Sequence, residues 1–461
     1  MGLFDGVRSV YFVGIGGIGM SAIAEILHEK GFRVTGSDMK RSEVTDRLAR
    51  NGMKVFEGHD RGYLDNPDLV IVSSAIPPSN PEVIAAQQRG IRVVSRAEVL
   101  GAMMAEKRGI GVAGTHGKTT TTSMIGTILI TAGCDPTFLI GGDLVETGTN
   151  AQLGRGELFL AEADEFDRSF WHLTPEVGVI TSIDTDHLDC YRDMDEVKEA
   201  FIRFANGVKE EGTVIVCSDD EQVVETLPHI QRRVVTYGLR PGAWVRAGEV
   251  ELTRSGASFM VVVGGEVVGS IWLSQPGLHN VTNALAAIGV CLRVGIDFEE
   301  IRRGLEAFKG VRRRFETKGE AGGVLVVDDY AHHPTEIIAT LRGAKIFGRR
   351  LIVLFQPHLY SRTLHLALEF GRALLEADEA VVTDVYPARE APIEGVSGRL
   401  IVEAAEWAGH HNTLYVAGLT EAVGIVVKKA RPGDMIVTMG AGDVGEVGEE
   451  ILKKLKMKNA E

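Results

Sequence analysis

Short apolar runs that end in glycine or charged clusters recur along the chain, and between them apolar residues return with helical spacing. Val10-Tyr11-Phe12-Val13 reads as a strand; after a glycine turn, Ile23, Ile26 and Leu27 mark one face of a helix that stops at Gly31. Apolar strands at Phe32 to Thr35, Leu69 to Val72 and Ile91 to Val94 continue the βαβ rhythm of a parallel sheet. The charged stretch Glu106-Lys107-Arg108 closes this unit. A second unit opens with a strand at Gly109 to Ala113, another glycine turn and a long helix from Lys118, then adds strands at Glu157 to Ala161, Val177 to Ser182 and Thr213 to Cys217. Between Trp244 and Leu273 the period drops to two around Gly264-Gly265, a hairpin signal. Beyond Arg312-Arg313-Arg314-Phe315, strands at Val324 to Val327, Leu351 to Phe355, Glu379 to Thr383 and Met435 to Thr438 alternate with helices rich in Ala, Leu and Glu. The pattern predicts an α/β protein of three domains. Residues 1–106 and 317–461 are Rossmann-like, and residues 107–316 form a central P-loop domain with a mainly parallel sheet and a small antiparallel piece.

Composition narrows the class. The 461 residues fit two or three domains, and 55 glycines, with neither a collagen-like period nor a linker tract, belong to turns and backbone-approach sites. A net charge of −14 without a basic stripe argues against nucleic acid and against an anionic membrane surface. Cys134, Cys190, Cys217 and Cys291 make no CxxC pair or zinc spacing and read as reduced thiols. The opening residues lack the apolar core of a signal peptide, Gly6 stands where myristoylation wants Ser or Thr, and the longest uncharged stretch, Val267 to Leu292, is broken by Pro276, His279 and Asn280. The expectation is a cytoplasmic protein that is a monomer or weak homodimer.

Two glycine turns carry the chemistry. Gly14-Ile15-Gly16-Gly17-Ile18-Gly19 follows a strand and precedes a helix, with Asp38 nineteen residues on. A pyrophosphate fits such a helix N-terminus, and alone this suggests NAD or, more plainly, close strand–helix packing. Gly114-Thr115-His116-Gly117-Lys118-Thr119-Thr120 is a phosphate loop in kind, although the strict pattern would place glycine where Val112 stands. Its backbone N–H groups suit phosphates, Lys118 suits the outer phosphates and the Thr119 hydroxyl suits magnesium. Glu162-Ala163-Asp164-Glu165-Phe166-Asp167 at the next strand end offers carboxylates to a magnesium nucleotide, or is a solvated acidic loop. His187, in Asp184-Thr185-Asp186-His187-Leu188-Asp189, is a ligand or acid–base candidate.

These motifs, with His279-Asn280-Val281-Thr282-Asn283, Arg313-Arg314-Phe315, Asp328-Asp329-Tyr330-Ala331-His332-His333-Pro334-Thr335-Glu336 and Gln356-Pro357-His358 with Arg362, resemble the Mur ligase family from Gly14 to Gly442, in the family's order. The resemblance implies a domain for a UDP-sugar, one for ATP and one for an incoming amino acid, and is nearest to the branch that adds L-alanine to UDP-N-acetylmuramate. Under it, Gly14, Gly16, Gly17 and Gly19 meet the sugar nucleotide's diphosphate, with Ser37, Asp38, Ser74, Ala75 and Ile76 at the nucleotide end. Gly114 to Thr120, Arg314 and Asp329 bind ATP. Thr119, Glu162 and His187 hold two Mg2+ ions, and Tyr330, His332, His358 and Arg362 reach the alanine. Asn280 and Asn283, three apart, read the adenine edge or cap the helix. Lys118, Arg314, His187 and His332 are the expected catalytic residues.

Two departures shape the reading. Phe201 and Ile202 occupy the region where ligases for later amino acids carry a carbamylated lysine, which favours the alanine-adding branch. Leu359 replaces a basic residue, leaving Arg389 as a possible substitute. The tripeptide-recycling ligase acting on the same sugar nucleotide is the alternative within the family, and an NAD-dependent oxidoreductase the alternative outside it.

Overall fold

The computed structural model describes residues 2–145, 147–185, 190–388 and 390–458. Three sheets follow one another along the chain. The first holds β1 (Ser9–Val13), β2 (Arg33–Asp38), β3 (Lys54–Glu57), β4 (Leu69–Val72) and β5 (Arg92–Ser95) in the order β3-β2-β1-β4-β5, all parallel. The order reverses between β1 and β4, so the crevice beyond their C-terminal ends is where this architecture binds ligands.

The central sheet comprises β6 (Arg108–Ala113), β7 (Thr137–Leu139), β8 (Ala151–Gln152), β9 (Leu158–Glu162), β10 (Val177–Ile180), β11 (Thr213–Cys217), β12 (Arg233–Gly238), β13 (Val245–Thr253), β14 (Gly256–Val263) and β15 (Glu266–Leu273). Its order is β15-β14-β13-β12-β11-β10-β6-β9-β7-β8. The strands from β12 to β7 are parallel, which requires them to be buried on both faces, and β6, β9, β10 and β11 are apolar throughout their buried cores. The antiparallel piece is larger than the expected hairpin: β13, β14 and β15 form a three-stranded meander. The third sheet holds β16 (Glu316–Ala321), β17 (Val324–Asp329), β18 (Leu351–Phe355), β19 (Glu379–Val382), β20 (Thr413–Tyr415) and β21 (Met435–Met439) in the order β16-β17-β21-β18-β19-β20, with only β16 antiparallel. Edge and near-edge strands such as β3, β8 and β20 escaped the sequence pattern because they are short and carry little apolar alternation.

The two domain junctions differ in kind. Ile15, Met20 and Leu100 of the first unit share one apolar cluster with Phe170, Phe201 and Phe204 of the central unit. The helix Arg96–Ala105 crosses so closely that a Cβ on Gly101 would lie 2.3 Å from the His172 carbonyl oxygen. The third unit has its own apolar clusters and reaches the central one through polar groups: His333 to the Thr185 carbonyl and Thr335 to Asp184. Among the described residues no helix is long and apolar enough to cross a membrane.

The helix Lys118–Thr131 is buried between the sheet and the helices Leu278–Val294 and Phe298–Ala307. Gly304 allows the last approach, since a Cβ there would stand 2.6 Å from Ile128 Cα. Gly304→Ala is therefore expected to destabilise the central domain by about 1–3 kcal/mol, read as a lower unfolding midpoint; an unchanged midpoint would show that the helices part freely.

Candidate active site

β6 feeds directly into the phosphate loop. Gly114 and Gly117 have φ of +135° and +80°, and a Cβ would meet Thr181 Oγ1 at 1.9 Å on the first and Asn283 Oδ1 at 2.6 Å on the second, so both positions require glycine. The loop is pinned from β10 outward: Thr181 Oγ1 donates to the His116 carbonyl at 2.5 Å, the His116 N–H donates to Ser182 Oγ at 2.9 Å, and the Asp184 N–H donates to Thr115 Oγ1 at 2.9 Å. Thr115 thus supports the loop, while Thr120 faces the cavity described below.

Lys118 projects from the first turn of the helix. Its ammonium donates to the Gly114 and Thr115 carbonyls at 2.5 and 3.2 Å and to both Glu165 oxygens at 2.8 Å. Burial disfavours the ammonium, but the carboxylates of Glu165, Asp164 and Glu162 outweigh it and raise the Lys118 pKa. Glu162, at the end of β9, accepts from the Gly141 N–H at 2.6 Å and from Thr119; burial pushes its pKa up. A hydroxyl and a carboxylate side by side are an all-oxygen donor set that fits Mg2+. His187 lies outside the described residues.

A cavity of about 280 Å³ extends from this loop to the third domain. The central domain contributes His116, Gly117, Asn280 and Asn283; the third contributes Phe315, Asp329 and Glu336, with Arg314 at the junction. Asn283 Oδ1 accepts from Thr121, and Asn280 donates its amide to the Pro276 carbonyl at 2.8 Å. Each asparagine therefore spends one polar end on the fold, and neither is the helix N-cap, which is Gly277. Asp329 accepts from the Phe315 and Ala331 N–H groups, and burial lifts its pKa to about 6.

His116 is the hinge point of the charges here. Burial lowers its pKa, but Asp184 at 3.0 Å and Glu336 at 3.5 Å more than compensate and bring it to about 9. Both carboxylates are held below their usual range despite burial, Glu336 also by His332 and Arg314. Arg314 lies 3.8 Å from Glu336; both it and Arg313 lie over the Tyr330 ring, but the Arg313 guanidinium is tied to Asp328 and the Gly440 carbonyl. His333, at the N-cap position of the helix Pro334–Lys345, makes no cap bond and reaches across to the central domain instead.

His332 Nδ1 donates to the Tyr330 carbonyl at 2.9 Å, and the His332 ring stands edge-on to His358, which stacks on Tyr386. Arg362 is buried, so it is no surface arginine. Leu359, buried with φ of +71°, turns its apolar side chain inward; Arg389 lies outside the described residues.

In the first domain the Gly14 and Ile15 N–H groups donate to the Ser37 carbonyl, and the Gly16 N–H to Asp38 Oδ2 at 2.8 Å. Ser37 departs from the expectation that it faces a ligand: it is fully buried, its hydroxyl donating to the buried Glu82 at 2.6 Å. Ser74 and Ala75 are exposed, and Ile76 packs 3.4 Å from where a Gly14 Cβ would be. A second cavity, of about 300 Å³, runs from Gly17 and Gly19 past Arg96 to Gly141, Glu162 and Asp164, joining the first glycine turn to the phosphate-loop site. Arg96 was missed by sequence reasoning, and Glu165, His279 and Glu336 stood in the motifs without an individual role, because their neighbours come from distant segments.

A phosphate loop on a parallel sheet, a glycine turn on a second and a third domain closing over the nucleotide cavity define a multidomain P-loop α/β nucleotide-binding protein. Family models match in three consecutive pieces: the Mur ligase family catalytic domain over residues 9–108, the Mur ligase middle domain over 112–291, and the Mur ligase glutamate ligase domain over 313–442. The chain belongs to the Mur ligase family. It is 47% identical to a UDP-N-acetylmuramate–L-alanine ligase of Geotalea uraniireducens over 98% of this chain and 99% of that one. Among solved structures it is similar to the UDP-N-acetylmuramate–alanine ligase of Thermotoga maritima, with a TM-score of 0.83 and 29% identity over 98% of this chain and 100% of that one. It also resembles a murein peptide ligase of Psychrobacter arcticus, with a TM-score of 0.74 and 26% identity over 97% and 99% of the two chains.

The Lys118–Glu165 pair is 16% and 4% exposed at its side chains, so removing one partner strands a charge. Lys118→Met is expected to destabilise the central domain by about 3 kcal/mol, with most of that recovered by adding Glu165→Gln. Denaturant unfolding checks this, and no recovery in the double variant would contradict the pairing.

Proposed function

We propose that this chain is an ATP-dependent ligase that joins L-alanine to the carboxylate of UDP-N-acetylmuramate, the first peptide-adding step in making peptidoglycan precursors. The observation that carries this reading is 47% identity along essentially the whole length of a relative with that activity. The recycling ligase is less favoured, its solved relatives being 26% identical over 97% of this chain and 31% identical over only 67% of it against 47% over 98%, and an oxidoreductase would explain only the first glycine turn. We further propose that it works in the cytoplasm as a monomer or weak homodimer, with no nucleic-acid or membrane partner.

A carboxylate is a poor electrophile with a poor leaving group. Transfer of the γ-phosphoryl of ATP to a carboxylate oxygen gives an acyl phosphate and ADP; the amine then attacks the acyl carbon and phosphate leaves, carrying that oxygen. In this reading the first glycine turn holds the sugar nucleotide's diphosphate, with Arg96 beside Gly19 as an added cation, and the second cavity leads the muramoyl carboxylate toward Glu162. Lys118 exchanges Glu165 for the γ-phosphoryl, and Arg314 approaches it from the junction. Thr119 and Glu162 would hold one Mg2+, and Glu162 with His187 a second; such ions would supply screening of the repulsion between ATP and its anionic acceptor. In its neutral form His332, with Nδ1–H donating to the Tyr330 carbonyl, carries the lone pair on Nε2 and can take a proton from the alanine ammonium. Arg362 and His358 then meet the alanine carboxylate.

Phosphate release with ATP, Mg2+ and UDP-N-acetylmuramate should be fastest with L-alanine and slower with glycine or L-serine. Stimulation by the tripeptide alone would reassign the chain to recycling, and no stimulation by any amine would remove the ligase reading. Lys118→Ala should lower kcat by about 1,000-fold, whereas Arg362→Ala should raise KM for L-alanine by about 10- to 100-fold and leave KM for ATP unchanged.

A further inference from the structure

Where the central and third domains meet, His116 of the phosphate loop, Asp184 beyond β10 and His333 ahead of the helix Pro334–Lys345 converge. One ligand atom from each lies within 4.8 Å of the other two. His116 Nε2 stands 3.0 Å and His333 Nδ1 3.7 Å from the same oxygen, Asp184 Oδ2. One outer nitrogen is held by an acceptor, His333 Nε2 meeting the Thr185 carbonyl at 3.2 Å, and His116 Nδ1 has the Glu336 carboxylate 3.5 Å away as an ion-pair contact. For His333, donation outward from Nε2 leaves Nδ1 as the lone pair, the tautomer an outer acceptor fixes in a metal-binding histidine, whereas His116 donates Nε2–H to Asp184, a proton that a cation bound here would replace. These two nitrogens and the carboxylate oxygen share a space where the side chains are only 16%, 4% and 29% exposed, so a cation there would meet three protein donors with little competing water.

We infer that His116, Asp184 and His333 form a site for a borderline divalent transition ion of the Zn2+ class, bridging the central and third domains. Two imidazole nitrogens and one carboxylate oxygen select such an ion over Mg2+, which wants oxygen ligands in an octahedron. Ligands around tetrahedral zinc stand about 3.3 Å apart when metal–ligand bonds are about 2.0–2.1 Å, and the two distances to Asp184 Oδ2, 3.0 and 3.7 Å, bracket that spacing. Thr335 Oγ1, donating to Asp184 Oδ2 at 2.7 Å, serves as an outer partner, and a fourth position is left for water. The donor set is distinct from the oxygen pair of Thr119 and Glu162. Since the ligands come from both domains, the ion binds the closed form and holds the nucleotide cavity shut.

Zn2+ titrated into the full-length protein without ATP or Mg2+ tests this by calorimetry, with Co2+ as a spectroscopic substitute. One ion should bind per chain, the Co2+ form should show the intense visible bands of a tetrahedral site, and small-angle scattering should show a more compact particle with Zn2+ than without. His333→Asn and Asp184→Asn should each weaken binding by about 100-fold or more, while Glu162→Gln should leave it unchanged. If a variant fails to fold, X-ray absorption on the wild-type zinc form decides by showing two imidazoles and an oxygen donor. Binding that is lost with Glu162→Gln and kept with His333→Asn, coordination without two imidazoles, or no stoichiometric binding by the wild type would overturn the inference.

Discussion

A buried ammonium has to be neutralised, and Lys118 shows how much of this molecule follows from that requirement. Its position at the start of a buried helix fixes the charge beside the loop that should receive phosphate, and the loop's own carbonyls satisfy only part of it. Glu165 supplies the rest from the segment after β9. A phosphoryl group entering the loop takes over the counter-charge that the carboxylate provides, so nucleotide binding is an exchange of anions around one cation, which avoids burying an unpaired charge at any stage. The acidic segment thereby has two separable uses: Glu162 faces Thr119 as an oxygen donor, and Glu165 keeps the lysine in place.

Sheet order puts these groups together. β6 lies between β9 and β10, so the phosphate loop, Glu162 and Asp184 all emerge from neighbouring C-terminal strand ends although they are far apart in the chain. The first domain is joined to this edge through a continuous apolar core, which costs area to separate, while the third is joined through histidines, carboxylates and Arg314. Polar junctions of that kind exchange their partners for water far more readily than apolar ones do. The first junction therefore fixes the path from the glycine turn to Glu162, and the second is the one able to open for nucleotide.

Both glycine turns were legible in the sequence because their backbone leaves no room for a Cβ, at Gly16 against Asp38 in the first and at Gly114 and Gly117 in the second, and the three-domain α/β architecture followed from apolar runs alternating with helical periodicity. Two groups of features were not. Short edge strands such as β3 and β20 bury too few residues to leave a period. Long-range pairings, such as Lys118 with Glu165, His116 with Glu336 and Ser37 with Glu82, depend on which strands neighbour each other, and no local spacing records that. The reversal of Ser37 is instructive: its place at a strand end beside the glycine turn suggested a ligand contact, but the strand's alternation turns its hydroxyl toward the buried Glu82.

The central claim is that the sugar-nucleotide carboxylate is activated as an acyl phosphate before the amine attacks, and the fate of a carboxylate oxygen tests it most directly. With both oxygens of the muramoyl carboxylate labelled with the heavy isotope, the account predicts one labelled oxygen in each phosphate released during turnover with L-alanine. Phosphate released without label would contradict it.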